Sequence, residues 1–353
     1  MLRALALFLL LSACAGGAMD ARPPLTGAAL SAPAPAPPAP PGPAGDNQRA
    51  TAPPEVLTLA AHGAAESIPV AHWPATGNTR AVIVSLHGYG DYGASTFGIA
   101  ATGWAARGIA VYAPDQRGFG RAPGRMRWPG ADTLIDDAGA VYAAVAARHP
   151  GAPVTVAGHS MGGGVALAAA GEGRFPGAAG LVLLAPAVWG GEALNPFLRA
   201  SAWAAALVMP DLRWTGRGVV RVVPSDNTEM LIALSRDPLH YAAPSGREFM
   251  GLVRLMDRAV AAAPDAPGPT LVVLGAHEDV VNPASVRALR PHLRGGAEFA
   301  YPPDGWHMLL RDRHADAVRD LVADWVLARA TPGSISGPTP VPAPTPAKEA
   351  PSP

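Results

Sequence analysis

The chain has 353 residues, a formal net charge of zero and only 15% charged side chains against 49% hydrophobic ones. Without a basic surface there is no electrostatic case for nucleic acid, and the apolar content is ample for a sizeable core. A single cysteine, Cys14, excludes a disulfide framework.

In chain order, Met1-Leu2-Arg3 is followed by the apolar run Ala4 to Leu11 and then Ser12-Ala13-Cys14. A charged start, a short apolar stretch and small residues describe a secretory signal peptide over 1–13, too short to span a bilayer. Leu11-Ser12-Ala13-Cys14 also resembles a bacterial lipobox. That resemblance implies a lipidated Cys14 as the first mature residue and a membrane-anchored protein of the cell envelope. Ala15 and Gly16, rather than aspartate, follow the cysteine, which resembles outer-membrane sorting. Residues 14–54 are rich in Pro, Ala and Gly and read as a polyproline-type tether; 331–353 has the same character and reads as a disordered tail.

Between these ends, apolar runs alternate with helical spacings. Ala81 to Leu86, Ala110 to Ala113, Val154 to Ala157, Leu181 to Leu184 and Thr270 to Leu274 read as buried strands, with helices near 95–107 and over 131–147. Val56 to Leu59 and Ser67 to Ala71 read as edge strands, and Glu298 to Tyr301 as a last strand. A final helix over 315–328 carries Val318, Leu321, Val322, Trp325 and Val326 on one side. This alternation predicts a mostly parallel sheet flanked by helices. From Trp189 to about Ala263 no strand of similar strength occurs, only helical and loop segments rich in Met, Trp, Leu and Phe. The expected organisation is a core over 55–188 and 264–330, interrupted by a helical cap over 189–263.

The chemistry centres on Gly158-His159-Ser160-Met161-Gly162, placed between a β-branched run and a helical one. Strand, sharp turn and helix turn this five-residue pattern into a nucleophile elbow, with Ser160 presented at a helix N-terminus. Such a serine needs a base and an acid. Two later strands end before Glu278-Asp279 and before Asp304-Gly305-Trp306-His307, and carboxyl ends of parallel strands share one crevice. His307 is the expected base, since His292 and His314 lie in polar helical surroundings. Asp279 is the expected acid, with Glu278 or Asp304 as substitutes. His87 reads as a hydrogen-bonded turn residue, and Asp115 with Arg117 as a loop-bracing ion pair. His277-Glu278 lacks a second metal-ligand pair, so neither metal nor cofactor is expected.

Over residues 55–330 the chain resembles the α/β-hydrolase superfamily, and within it the monoacylglycerol lipase and lysophospholipase group. The resemblance is carried by His87-Gly88, Asp115-x-Arg117-Gly118-x-Gly120, the elbow, Gly275-x-x-Glu278-Asp279-x-Val281 and Gly305-Trp306-His307. It implies Ser160 as nucleophile, Asp279 as acid, His307 as base, and oxyanion-binding amides on Tyr89 and Met161. The chain departs from the group at Tyr89, where a small residue is usual, and at Gln116, where histidine is frequent. The implied activity is hydrolysis of lipid-like esters through an acyl-enzyme, without a cofactor. An acyltransferase or perhydrolase using the same residues, and a non-catalytic surface lipoprotein that kept the fold, are the competing readings.

Overall fold

A computed structural model describes residues 55–61, 64–189, 203, 206–213 and 222–330. The expected signal peptide over 1–13, Cys14, the expected tether and tail, and much of 190–221 lie outside the described residues. Among the described residues no helix is long and apolar enough to cross a membrane.

The strands are β1 (Glu55–Ala61), β2 (Ala64–Trp73), β3 (Ala81–Leu86), β4 (Ile109–Pro114), β5 (Val154–His159), β6 (Gly180–Leu184), β7 (Thr270–Val273) and β8 (Ala297–Ala300). They form one sheet in the order β1-β2-β4-β3-β5-β6-β7-β8. β1 and β2 run antiparallel at one edge, and every pairing from β4 to β8 is parallel. β3, β4, β5, β6 and β7 are buried at every position. Strands covered on both faces read as unbroken apolar runs, which is why they stood out in the sequence.

The helices are α1 (Gly93–Ala106), α2 (Ala131–Arg148), α3 (Met161–Gly171), α4 (Thr228–Arg236), α5 (Gly246–Ala262), α6 (Pro283–Ala288) and α7 (Asp316–Ala328). α3 is apolar all round and buried from Met161 to Ala170, as a helix in the middle of a layer must be. α7 buries Val318, Val322, Trp325 and Val326, the stripe expected from its spacing. The expected cap segment contains α4 and α5. α4 buries only Leu234, whereas α5 buries one face and packs along α3, so its C-terminal half also serves as the crossover into β7.

Register fixes where the functional loops emerge. Leu86 pairs with Gly158, Gly158 with Leu183, and Val273 with Ala300. The loops after β3, β5, β7 and β8 therefore leave one edge of the sheet, carrying Tyr89, Ser160, Glu278 with Asp279, and His307.

Candidate active site

Ser160 joins β5 to α3 with φ 52° and ψ −117°, a conformation that costs about 1–3 kcal/mol and persists only under tight surroundings. Those surroundings are backbone. A Cβ at Gly158 would lie 2.3 Å from the carbonyl oxygen of Gly162, and one at Gly162 would lie 2.1 Å from that of Leu86. The Ser160 amide donates to Leu184 O (2.9 Å), and its carbonyl accepts from the amides of Gly163, Gly164 and Ala187. The turn is thus held from three sides, and the serine sits where the helix dipole favours negative charge.

His307, 4% exposed, follows β8. Its Nδ1 donates to the Glu278 carboxylate at 2.9 Å and 3.1 Å. A carboxylate only accepts, so the proton of this bond sits on Nδ1, and in the neutral imidazole it is Nε2 that carries the lone pair. The Glu278 side chain is fully buried. Burial opposes its ionisation, but the His307 charge and hydrogen bond, with the amides of Val281 and Val280, outweigh that and hold the carboxyl below its usual range.

This geometry corrects the expectation for Asp279. Its side chain is exposed, and its Oδ2 accepts from the amide of Val223 at 3.0 Å, in the return from the inserted segment. It makes no contact with His307 among the described residues. Asp304, His292 and His314 are exposed as well. The carboxylate that meets His307 is that of Glu278, whose longer side chain reaches the imidazole from one residue upstream.

His159 is buried beside the base, its ring centroid 4.9 Å from that of His307. Its Nε2 donates to the His307 carbonyl (2.9 Å), and desolvation, with the His307 charge, pulls its pKa down to about 3. It stays neutral beside the imidazolium that forms on His307. The loop after β3 approaches the serine closely: a Cβ on Gly88 would lie 3.4 Å from Ser160 Cβ. Met161 is the first helical residue, so its amide has no partner within the helix. The structure brings Tyr89, Ser160, Met161 and His307 to one cleft.

His87 does not reach into that chemistry. It accepts the Gln116 amide on Nε2 (2.8 Å) and donates from Nδ1 to Gly88 O (2.8 Å), and Gln116 Nε2 donates to His87 O. Arg117 pairs with Asp137 at 2.9 Å and 3.0 Å, not with Asp115. Asp115 instead accepts from the amides of Gly93 and Arg121. Loop bracing is present, with a different partner from the one expected.

Among the described residues that line the cleft, Trp189, Phe249, Leu252, Met256, Val281 and Met308 supply an apolar wall, and Asp91, Arg311 and His240 supply polar groups. Asp91 and Arg311 form a buried ion pair at 2.6 Å, each side chain 5% exposed. No local pattern announces this pair, because the partners are 220 residues apart.

A family model described as Hydrolase_4, Serine aminopeptidase, S33, matches residues 77–314, which spans the sheet core and every one of these groups. The chain belongs to this family of α/β-hydrolases. This Hydrolase_4 chain is 29% identical over 263 residues to a monoacylglycerol lipase of Mycolicibacterium smegmatis, covering 72% of the chain and 91% of that relative. It is 31% identical over 209 residues to the human monoglyceride lipase, covering 58% and 67%. Among solved structures, a Saccharomyces cerevisiae monoglyceride lipase superposes with TM-score 0.64 at 19% identity, over 81% of the chain and 97% of that one. A Paleococcus ferrophilus monoacylglycerol lipase gives 0.63 at 21%, over 74% and 99%. The fold expected from the sequence is the fold found, and the chain is a member of a serine hydrolase family.

Proposed function

We propose that the chain hydrolyses lipid-like esters of a single acyl chain with a polar alcohol, such as monoacylglycerols or lysophospholipids. Ser160 is the nucleophile, His307 the base and Glu278 the orienting acid. The observation that carries this reading is the buried Glu278–His307 hydrogen bond in the same cleft as a strained serine at a helix N-terminus. Nε2 of His307 takes the hydroxyl proton as Ser160 Oγ bonds to the ester carbon. The carbonyl oxygen becomes an oxyanion facing the Tyr89 and Met161 amides, each such donor being worth about 3–4 kcal/mol of barrier. The ester C–O bond then breaks, and His307 returns the proton to the leaving alcohol. Water, deprotonated by His307, repeats the sequence on the acyl-enzyme and frees the acid.

The apolar wall suits an acyl chain. Among the described residues lining the cleft, the Asp91 carboxylate is already paired with Arg311 and offers no free charge to a peptide ammonium. The names of the two relatives, a monoacylglycerol lipase and a monoglyceride lipase, support a monoacyl ester.

The test is an ester panel varying acyl length and head group, run on the purified protein and on Ser160→Ala, with alcohols supplied as competing acceptors and a fluorophosphonate to label the serine. Hydrolysis and labelling lost in Ser160→Ala support the reading. Turnover undiminished in Ser160→Ala sinks it, and predominant transfer to alcohol would make the protein an acyltransferase. We further propose that Cys14 carries a lipid anchor holding the domain at a membrane of the cell envelope, the outer one where there are two. Cys14→Ser should move the protein to the soluble fraction, and continued membrane retention would refute the anchor.

A further inference from the structure

Tyr89 stands where related turns carry a small residue, and its ring reaches into the inserted segment. It packs edge-on against Phe119 (5.4 Å) and Tyr241 (5.6 Å), while Tyr241 stacks on Phe119 at 5.8 Å. Tyr241 also grips the loop by its backbone, its amide donating to Gly90 O at 2.9 Å. Gly90 has φ +72°, and a Cβ there would lie 1.8 Å from the Tyr241 carbonyl oxygen, so the two chains meet with no room for a side chain.

Tyr241 is fixed in turn by Glu248. The Tyr241 hydroxyl donates to Glu248 Oε1 (3.2 Å), and Arg213 donates to both carboxylate oxygens (2.9 Å and 3.1 Å). Arg213 also donates to Ala243 O and lies 5.3 Å from the centre of the Tyr241 ring. Glu248 closes a capping box with Ser245 at the start of α5. In a capping box the glutamate side chain engages only the Ser245 amide, which Oε2 accepts at 2.7 Å, while the Ser245 hydroxyl accepts the Glu248 amide. Burial to 1% and the second set of bonds go beyond that need.

The geometry points to Glu248 as a positioning residue for the oxyanion-binding amide of Tyr89, acting through Tyr241. The assignment rests on the esterase reading above. The amide must be aimed at the place where charge develops, and a misplacement of about 1 Å in such machinery costs about a hundredfold. Here the aim is set from outside the sheet, by a segment that also walls the cleft. Glu248 touches no reacting atom; it holds the residue that holds the loop.

The test compares the parent with Glu248→Gln and Tyr241→Phe. Measured quantities are kcat, KM, and affinity for two inhibitors: an acyl trifluoromethyl ketone, whose adduct with Ser160 places an oxyanion against the amides, and the matching ether, which only fills the cleft. We expect Glu248→Gln to lower kcat by about 10- to 100-fold with KM changed less than about threefold. Ketone affinity should fall by a similar factor and ether affinity should hold. Tyr241→Phe, which keeps the ring and loses the bond to Glu248, should show a smaller loss of the same kind, and the double variant should be no worse than Glu248→Gln. A folded Glu248→Gln with parental kcat and ketone affinity overturns the assignment, as does equal loss for ketone and ether. If Glu248→Gln does not fold, Tyr241→Phe decides by the same two criteria. A parent that neither turns over esters nor binds the ketone overturns the esterase reading as well; an active parent with unaffected variants overturns only this one.

Discussion

The Glu278 carboxylate lies 2.9 Å from Nδ1 of His307, while Asp279, its neighbour in sequence, accepts the amide of Val223. Two adjacent carboxylates thus have separate tasks, one at the base and one at the return from the inserted segment. Glu278→Gln keeps the shape but presents the imidazole with a poor acceptor, and kcat should fall by roughly three to four orders of magnitude. Asp279→Asn should leave kcat within a few-fold. Steady-state kinetics on both variants decide; the opposite ranking would restore Asp279 as the acid.

A second prediction concerns Asp312. Its Oδ1 accepts from the Ser225 hydroxyl (2.6 Å) and its Oδ2 from the Trp306 amide (2.8 Å), yet it is only 4% exposed. Desolvation, with Asp226 adding, raises its pKa to about 6 despite those bonds and the nearby His307. In the unfolded chain it ionises near 3.8. Between these values the folded state holds more protons, so this group's contribution to stability declines as pH rises through that window, by about 3 kcal/mol in all. The buried histidines, held neutral, contribute with the opposite sign over the same range, so the reading is a difference: in urea melts from pH 4 to 7 the stability of Asp312→Asn should rise more steeply, or fall less, with pH than that of the parent. An unchanged slope in the variant would refute the assignment.

The elbow glycines are sterically obligatory. Gly162→Ala would set a methyl 2.1 Å from Leu86 O, backbone against backbone. A loss of about 3 kcal/mol or more is expected, with α3 displaced from β3. Denaturant titration reads the loss directly. Gly103→Ala on α1, with nothing within 4 Å of the added methyl, is the matched control and should be neutral or slightly stabilising.

The Asp91–Arg311 pair should behave as buried pairs do. Arg311→Met strands a buried carboxylate and should cost about 3–5 kcal/mol. Removing the carboxylate too, in Asp91→Leu/Arg311→Met, should recover most of that stability while weakening selectivity for polar head groups. Chemical denaturation of the three proteins measures the first effect and the ester panel the second; a double variant as unstable as the single one would argue against a stranded charge.

Most of the architecture was readable in advance because the central strands are covered on both faces and the helices between them are long and periodic. Ser160 was readable because its glycines and its strand-turn-helix context are local. His307 was readable because it follows a strand end. Asp279 was the expected acid, whereas Glu278 is the carboxylate that faces His307; the two sit on the same loop, and the choice depends on which one loses its solvent, a property of the folded loop. Arg117 was assigned to Asp115 by proximity in sequence, but Asp115 is occupied by two amides and Asp137 on α2 lies within reach. The cap appeared as a single block in composition, whereas α5 at its end packs on α3 like a core helix.

The loop bearing Glu278 and the loop bearing His307 touch through glycine. A Cβ on Gly275 would lie 2.3 Å from Gly305 O, and the amides of Ala276 and His277 donate to Pro302 O and Gly305 O. Main chain laid on main chain leaves no slack to absorb a change in side-chain length. The separation between proton donor and acceptor is therefore cast into the scaffold, and a carboxylate one methylene longer serves here only by starting one position earlier. Grafting either loop alone into a sister scaffold should transplant a mismatch; the pair is the smallest exchangeable part.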